Sequence, residues 1–96
     1  MNIRWKASAS ADLDNIRAYI ALSNNTAAAR MVRDIVVTVG RLKDFPGSGR
    51  PGRVPGTREL VTPGKPYIVL YRVKDKAVEV LRVFHTSRKI EHGATN

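Results

Sequence analysis

The stretch Phe45–Arg88, FPGSGRPGRVPGTRELVTPGKPYIVLYRVKDKAVEVLRVFHTSR, decides the fold. Its first part, Pro46–Gly56, crowds four Gly, three Pro and two Arg into one loop. That loop feeds three β-patterned runs, Thr57–Thr62, Tyr67–Val73 and Ala77–Phe84. Pro63-Gly64-Lys65-Pro66 and Lys74-Asp75-Lys76 separate the runs, and connections this short join antiparallel neighbours. Tyr67-Ile68-Val69-Leu70-Tyr71 is almost wholly apolar or aromatic, as expected of a strand covered on both faces. In the last run strict alternation puts Val78, Val80, Arg82 and Phe84 on one side and Glu79, Leu81, Val83 and His85 on the other.

Upstream, Ile3 and Trp5 alternate with Asn2, Arg4 and Lys6, a period of two that reads as a short strand with one buried face. A first helix follows, with Ser8 and Ser10 as candidate N-caps and Asp12 and Asp14 near its positive end. Ala9, Leu13, Ile16 and Ile20 share one face of it, and it ends near Ser23-Asn24-Asn25. Thr26 is the candidate cap of a second helix, whose stripe Ala28, Val32, Ile35, Val39, Leu42 holds helical spacing for over three turns. Asp44-Phe45-Pro46-Gly47 stops it, because proline disfavours helical geometry in the residue before it. The resulting order is β-α-α-β-β-β, an α+β two-layer fold with a helical hairpin on one face of an antiparallel sheet. Part of the other face is left for solvent or a partner. Ninety-six residues make a single domain, 1–90, with a polar flexible tail 91–96.

Lys plus Arg number 17 against 8 acidic residues, a net charge of +9, and the sequence pI is about 10.7. Residues 1–45 carry 7 basic and 4 acidic groups, and residues 46–96 carry 10 and 4, so the second half holds most of the field. Arginine presents a permanently charged planar fork suited to phosphates and carboxylates. Arg58, Arg72 and Arg82 in the strands thus make the sheet a candidate surface for nucleic acid, an acidic protein or another anion. The absence of cysteine excludes a disulfide framework, a thiolate nucleophile and Cys-ligated zinc. No apolar run resembles a signal peptide or reaches the ~18 residues of a membrane span, so the chain reads as soluble and cytoplasmic.

Several strings carry a family resemblance in this order: the Ser-Ala-Asp-Leu-Asp helix start at residues 10–14, Phe45-Pro46, Gly49-Arg50-Pro51, Gly56-Thr57-Arg58-Glu59-Leu60, Tyr67–Val73, and Val80-Leu81-Arg82-Val83-Phe84-His85. With them the chain resembles the RelE/ParE superfamily of small bacterial toxins from type II toxin–antitoxin pairs, over almost its whole length. The resemblance implies a partner, a ParD-like antitoxin whose flexible C-terminal segment wraps the toxin. It also implies one of two activities: RelE- and YoeB-like members cut messenger RNA on the ribosome, and ParE-like members poison DNA gyrase by binding. Neither implies a cofactor or a metal.

Metal-independent RNA cleavage requires groups able to exchange protons at the 2′-OH and the leaving 5′-oxygen, which arginine does poorly. The YoeB-like loop Gly-x-Gly-Lys-Pro-Glu here reads Gly47-Ser48-Gly49-Arg50-Pro51-Gly52, with glycine where the glutamate base stands. The His-Tyr pair that ends the last strand of that branch is His85-Thr86, and no tyrosine follows Tyr71 for a RelE-like site. The ParE-like reading is therefore ahead, with Arg50, Arg53, Arg58, Arg72, Arg82, His85 and Arg88 as target contacts. In the nuclease alternative His85, Arg82 and Arg58 are the catalytic candidates. Each has a plainer reading beside it: His85 as a strand-end hydrogen-bonding residue, Arg82 as an internal partner of Glu59 or Glu79, Arg50 and Arg53 as a solvated turn. Tyr67 and Tyr71, four apart on one strand, face the same side and read as core. A non-toxic basic binding module is the third class.

Overall fold

The computed structural model describes residues 1–87; Arg88, the last residues of the expected domain and the tail 91–96 lie outside the described residues. Its elements are β1 (Asn2–Trp5), α1 (Ala7–Ala21), α2 (Asn25–Gly40), a 3₁₀ turn (Arg41–Lys43), β2 (Arg50–Pro51), β3 (Arg58–Val61), β4 (Tyr67–Lys74) and β5 (Ala77–His85). The strands form one five-stranded sheet in the order β1-β5-β4-β3-β2, and the two helices pack on one face of it. The α+β two-layer class and the order of the main elements agree with the sequence reading. Two features are additional to it: β1 runs parallel to β5, which makes the sheet mixed, and the Pro/Gly loop contributes the two-residue strand β2.

The helix stripes bury as their spacing requires. Ala9 of α1 and Ile35 and Val39 of α2 meet Tyr67, Val69, Val80 and Val83, with Leu13, Ile16, Ile3 and Trp5 packed around them. The 3₁₀ turn swings Leu42 beneath Tyr71 and Val78 in a second cluster. Fully burying side chains of this size contributes about 1.5–3 kcal/mol each, enough to override weak local propensities. The caps differ from those expected. α2 is capped by Asn24, extended at φ −161°, whose Oδ1 accepts the Ala27 N–H at 2.9 Å, so Thr26 lies inside the first turn. α1 starts one residue after Lys6 without a side-chain cap, because Ser8 donates instead to the Leu81 carbonyl across the sheet edge at 2.7 Å.

That contact belongs to a larger substitution along β5. β1 covers β5 only from Ala77 to Val80, and Lys6 N–H bonds the Val80 carbonyl before the chain turns into α1. Past that point helix side chains take the place of a strand: Ser8 binds Leu81 and Asp12 accepts the Val83 N–H at 2.8 Å. The free edge is thereby covered. A bulge accompanies the change, since Tyr71 pairs Val80 while Leu70 pairs Arg82, leaving Leu81 as the extra residue. Strict alternation fails there. Val78 and Val80 face the helices, but so does Val83, whereas Leu81 and Phe84 join Ile68 and Leu70 on the opposite face.

Candidate functional site

The loop and strand arginines are arranged around acids and carbonyls of the chain itself. Glu59, buried in β3, receives Arg50 Nη2 at 3.4 Å, Arg53 Nε at 3.3 Å and the Arg53 backbone N–H at 3.0 Å. Arg53 also stands over the Phe84 ring, 5.6 Å from its centroid. Arg58 donates to the Gly49 carbonyl at 2.8 Å, and the Tyr71 hydroxyl donates to the Pro46 carbonyl at 2.7 Å while accepting the Gly49 N–H at 2.9 Å. Gly49 is required at this crossing, because a Cβ there would lie 2.7 Å from the Tyr71 hydroxyl and 2.9 Å from the Glu59 carbonyl. The Pro/Gly loop is thus a fastened structure, held by Tyr71, Arg58 and Glu59.

Arg72 and Arg82 are also partnered. Arg72 Nε meets Glu79 at 2.7 Å, and this hydrogen bond, aided by the charges of Arg72, Lys6 and Lys74, holds the Glu79 carboxyl below its ordinary value against the opposing effect of burial. Arg82 grips both oxygens of Asp12, at 2.7 and 3.0 Å, and the pairing raises the guanidinium above its ordinary value. Neither Glu59 nor Glu79 is its partner. The acid lies 70 residues earlier, on α1.

His85 ends β5 beside a cleft of about 580 Å³ between α1 and the end of that strand, with Asp12, Tyr19, Tyr67 and Ser87 among the lining residues. Its ring meets Tyr67 edge-on at 5.4 Å and 83°. The Ser87 N–H donates to Nδ1 at 3.1 Å, which requires a lone pair there and leaves Nε2 as the protonated nitrogen of the neutral ring. Of the expected site residues, the structure brings Arg82 and His85 to this end of β5, puts Arg50, Arg53 and Arg58 about the loop, and sets Arg72 apart with Glu79. Arg88 lies outside the described residues.

The ParE toxin model of type II toxin–antitoxin systems, parDE, matches residues 3–90. The chain belongs to that family. It is 46% identical over 87 residues to the Sinorhizobium fredii protein Y4kP, an alignment covering 91% of this chain and 90% of the relative. It is 33% identical over 84 residues to Toxin RelE2 of Caulobacter vibrioides, covering 88% and 93%. Among solved structures, a chain of the chromosomal ParDE system of P. aeruginosa superposes with a TM-score of 0.80 at 38% identity, covering 88% of this chain and 95% of that one. A chain of the toxin–antitoxin complex RelBE2 of Mycobacterium tuberculosis superposes with a TM-score of 0.65 at 27% identity over the same shares.

Other charges of this ParE-family chain were passed over in the sequence. Arg4 and Lys6 entered only as the polar half of the β1 alternation, and Arg30 and Arg33, which adjoin exposed Val36 and Val37 on α2, did not enter at all. Asp12 was read as a helix-terminus charge rather than as the anchor of Arg82. The β1 alternation was the one local signal that set Arg4 and Lys6 away from the core.

Proposed function

We propose that this ParE-family toxin acts by adhesion, with DNA gyrase as its target and a ParD-like antitoxin as its neutralising partner. The observation that supports the reading is that the carboxylate lining the His85 cleft is tied up in structural contacts, which leaves the imidazole without a companion base. Asp12 accepts two hydrogen bonds from Arg82 and one from the Val83 N–H, and His85 Nδ1 accepts from Ser87. A general base must reach the proton it takes with a free lone pair, and Asp12, the carboxylate lining that cleft, has both oxygens engaged. Glu59 and Glu79 are likewise held by arginines. Adhesion needs shape and charge but no such couple. The partner assignment draws on the ParDE and RelBE2 neighbours, both described as toxin–antitoxin systems or complexes.

Purified toxin added to gyrase should inhibit supercoiling or trap cleavage complexes, and a co-purified antitoxin should reverse the effect. The parallel assay is cleavage of ribosome-bound transcripts. Unaffected gyrase together with transcript cleavage that vanishes in His85→Ala overturns the reading in favour of the nuclease.

A further inference from the structure

The sheet face turned away from the helices carries a second, differently built group of cations. In β1, Ile3 and Trp5 pack into the core, so Arg4 and the following Lys6 point the other way. The row Arg4–Glu79–Arg72 runs in register across β1, β5 and β4, and the next row sets Lys74 beside Ala77 and Asn2. Cross-strand partners share a face. Arg72 and Glu79 cancel each other at 2.7 Å, and Lys6 stands 3.9 Å from the remaining Glu79 oxygen with half its side chain exposed. Arg4, Lys74 and Lys76 are exposed and have no ion-pair partner among the described residues.

The β4–β5 turn adds a further observation. Asp75 and Lys76 both adopt left-handed geometry, with φ of 53° and 59°, where asparagine and glycine are the unstrained choices. A lysine is therefore held, at a conformational cost, beside Lys74 and at the end of the same patch.

We propose that this corner of the open sheet, Arg4, Lys6, Lys74 and Lys76 around the Arg72–Glu79 pair, binds the phosphate backbone of duplex DNA without reading sequence. The patch suits phosphates better than an acidic protein because its same-face neighbours Leu70 and Ala77 are buried, leaving no apolar anchor of the sort that dominates protein interfaces. It suits a duplex better than a single strand because base stacking requires exposed aromatic rings. Trp5, Tyr67 and Tyr71 are instead packed in the helix-side core. The outward side of α2, where Arg30 and Arg33 adjoin exposed Val36 and Val37, has the mixed apolar and cationic character that the patch lacks.

The test is fluorescence anisotropy of a short fluorescein-labelled duplex titrated with the full chain at several salt concentrations, with no gyrase present, so that its outcome is independent of the proposed target. Neutralising three or four phosphates gives a slope of about −2.7 to −3.6 for log affinity against log salt. The double variant Arg4→Glu/Lys74→Glu should lose at least about tenfold in affinity and flatten the slope by about two. Lys76→Gly, which relieves strain and so endangers nothing in the fold, should flatten it by about one. Arg30→Glu/Arg33→Glu, with the same change in net charge, should leave the slope unchanged. Equal losses from both double variants, a salt-independent signal, or tighter binding of polyglutamate or single-stranded RNA than of the duplex each overturns the assignment.

Discussion

The arginines of the loop and central strands and the Arg4, Lys74 and Lys76 cations at the β1–β5–β4 corner carry the same charge, yet they put it to opposite uses. Arg50, Arg53, Arg58, Arg72 and Arg82 each bind an acid or a carbonyl within the molecule. Arg4, Lys74 and Lys76 bind none among the described residues. The difference lies in the acids. Glu59 sits buried under the loop and Asp12 lies over the β5 edge, so pairing with arginines offsets what burial costs the Glu59 carboxylate and anchors Arg82 to α1. At this corner Glu79 is already taken by Arg72, and among the described residues no ion pair ties Asp75 to the lysines on either side of it. Density of positive charge in the sequence is thus a poor guide to which charges face a partner.

The sharpest way to break this division is Asp12→Ala. It strands Arg82 and the Val83 N–H together, and urea denaturation should record a loss of about 3 kcal/mol. Arg4→Ala in the same assay should stay within about 0.5 kcal/mol of the parent. Equal effects would erase the distinction between structural and available cations.

Tyr71→Phe tests whether the loop is fastened, since it leaves the Pro46 carbonyl and Gly49 N–H without their partner. A loss of about 1–3 kcal/mol is expected, with faster amide exchange at Gly49. Unchanged exchange at Gly49 would mean that the loop is held by other contacts. Lys76→Gly should move stability the other way, raising it by about 1 kcal/mol as two-residue hairpin geometry is relaxed. No gain in the denaturation midpoint would rule out strain in that turn.

The smallest effect concerns acid. Because Glu79 titrates below its ordinary value of 4.5 when folded, its pairing stabilises the fold fully above that value and is lost as pH falls through the lower, folded one. Glu79→Gln should therefore flatten the dependence of stability on pH below about 4.5, and an identical acid slope in the variant would show that Arg72 gains nothing from the carboxylate charge.

Much of the fold was legible because it is written in local periods. The stripe Ala28, Val32, Ile35, Val39, Leu42 and the alternation of Ile3 and Trp5 define faces that must be buried, and the three long strands lie within about a residue of their expected bounds. The placing of Tyr67 and Tyr71 in the core followed from the same period of two. The bulge at Leu81 was not legible, since the pattern through Val78–His85 reads equally well without it. Register there is set by the competing demands of Val80 and Val83 to reach the helices. Ser8 looked like a cap and Asp12 like a helix-dipole charge because neither shows in its own segment that an unpaired stretch of β5 backbone waits beside it.

By itself the sequence determined a two-layer α+β fold, a strongly cationic composition and membership of a toxin superfamily, because hydrophobic period, composition and short ordered motifs are properties of neighbouring residues. The tertiary structure alone decided the parallel union of the first and last strands, the Asp12–Arg82 pair and the division of cations into partnered and available. Those depend on contacts between segments as much as 75 residues apart, where no local pattern constrains which strands pair or which acid meets which base.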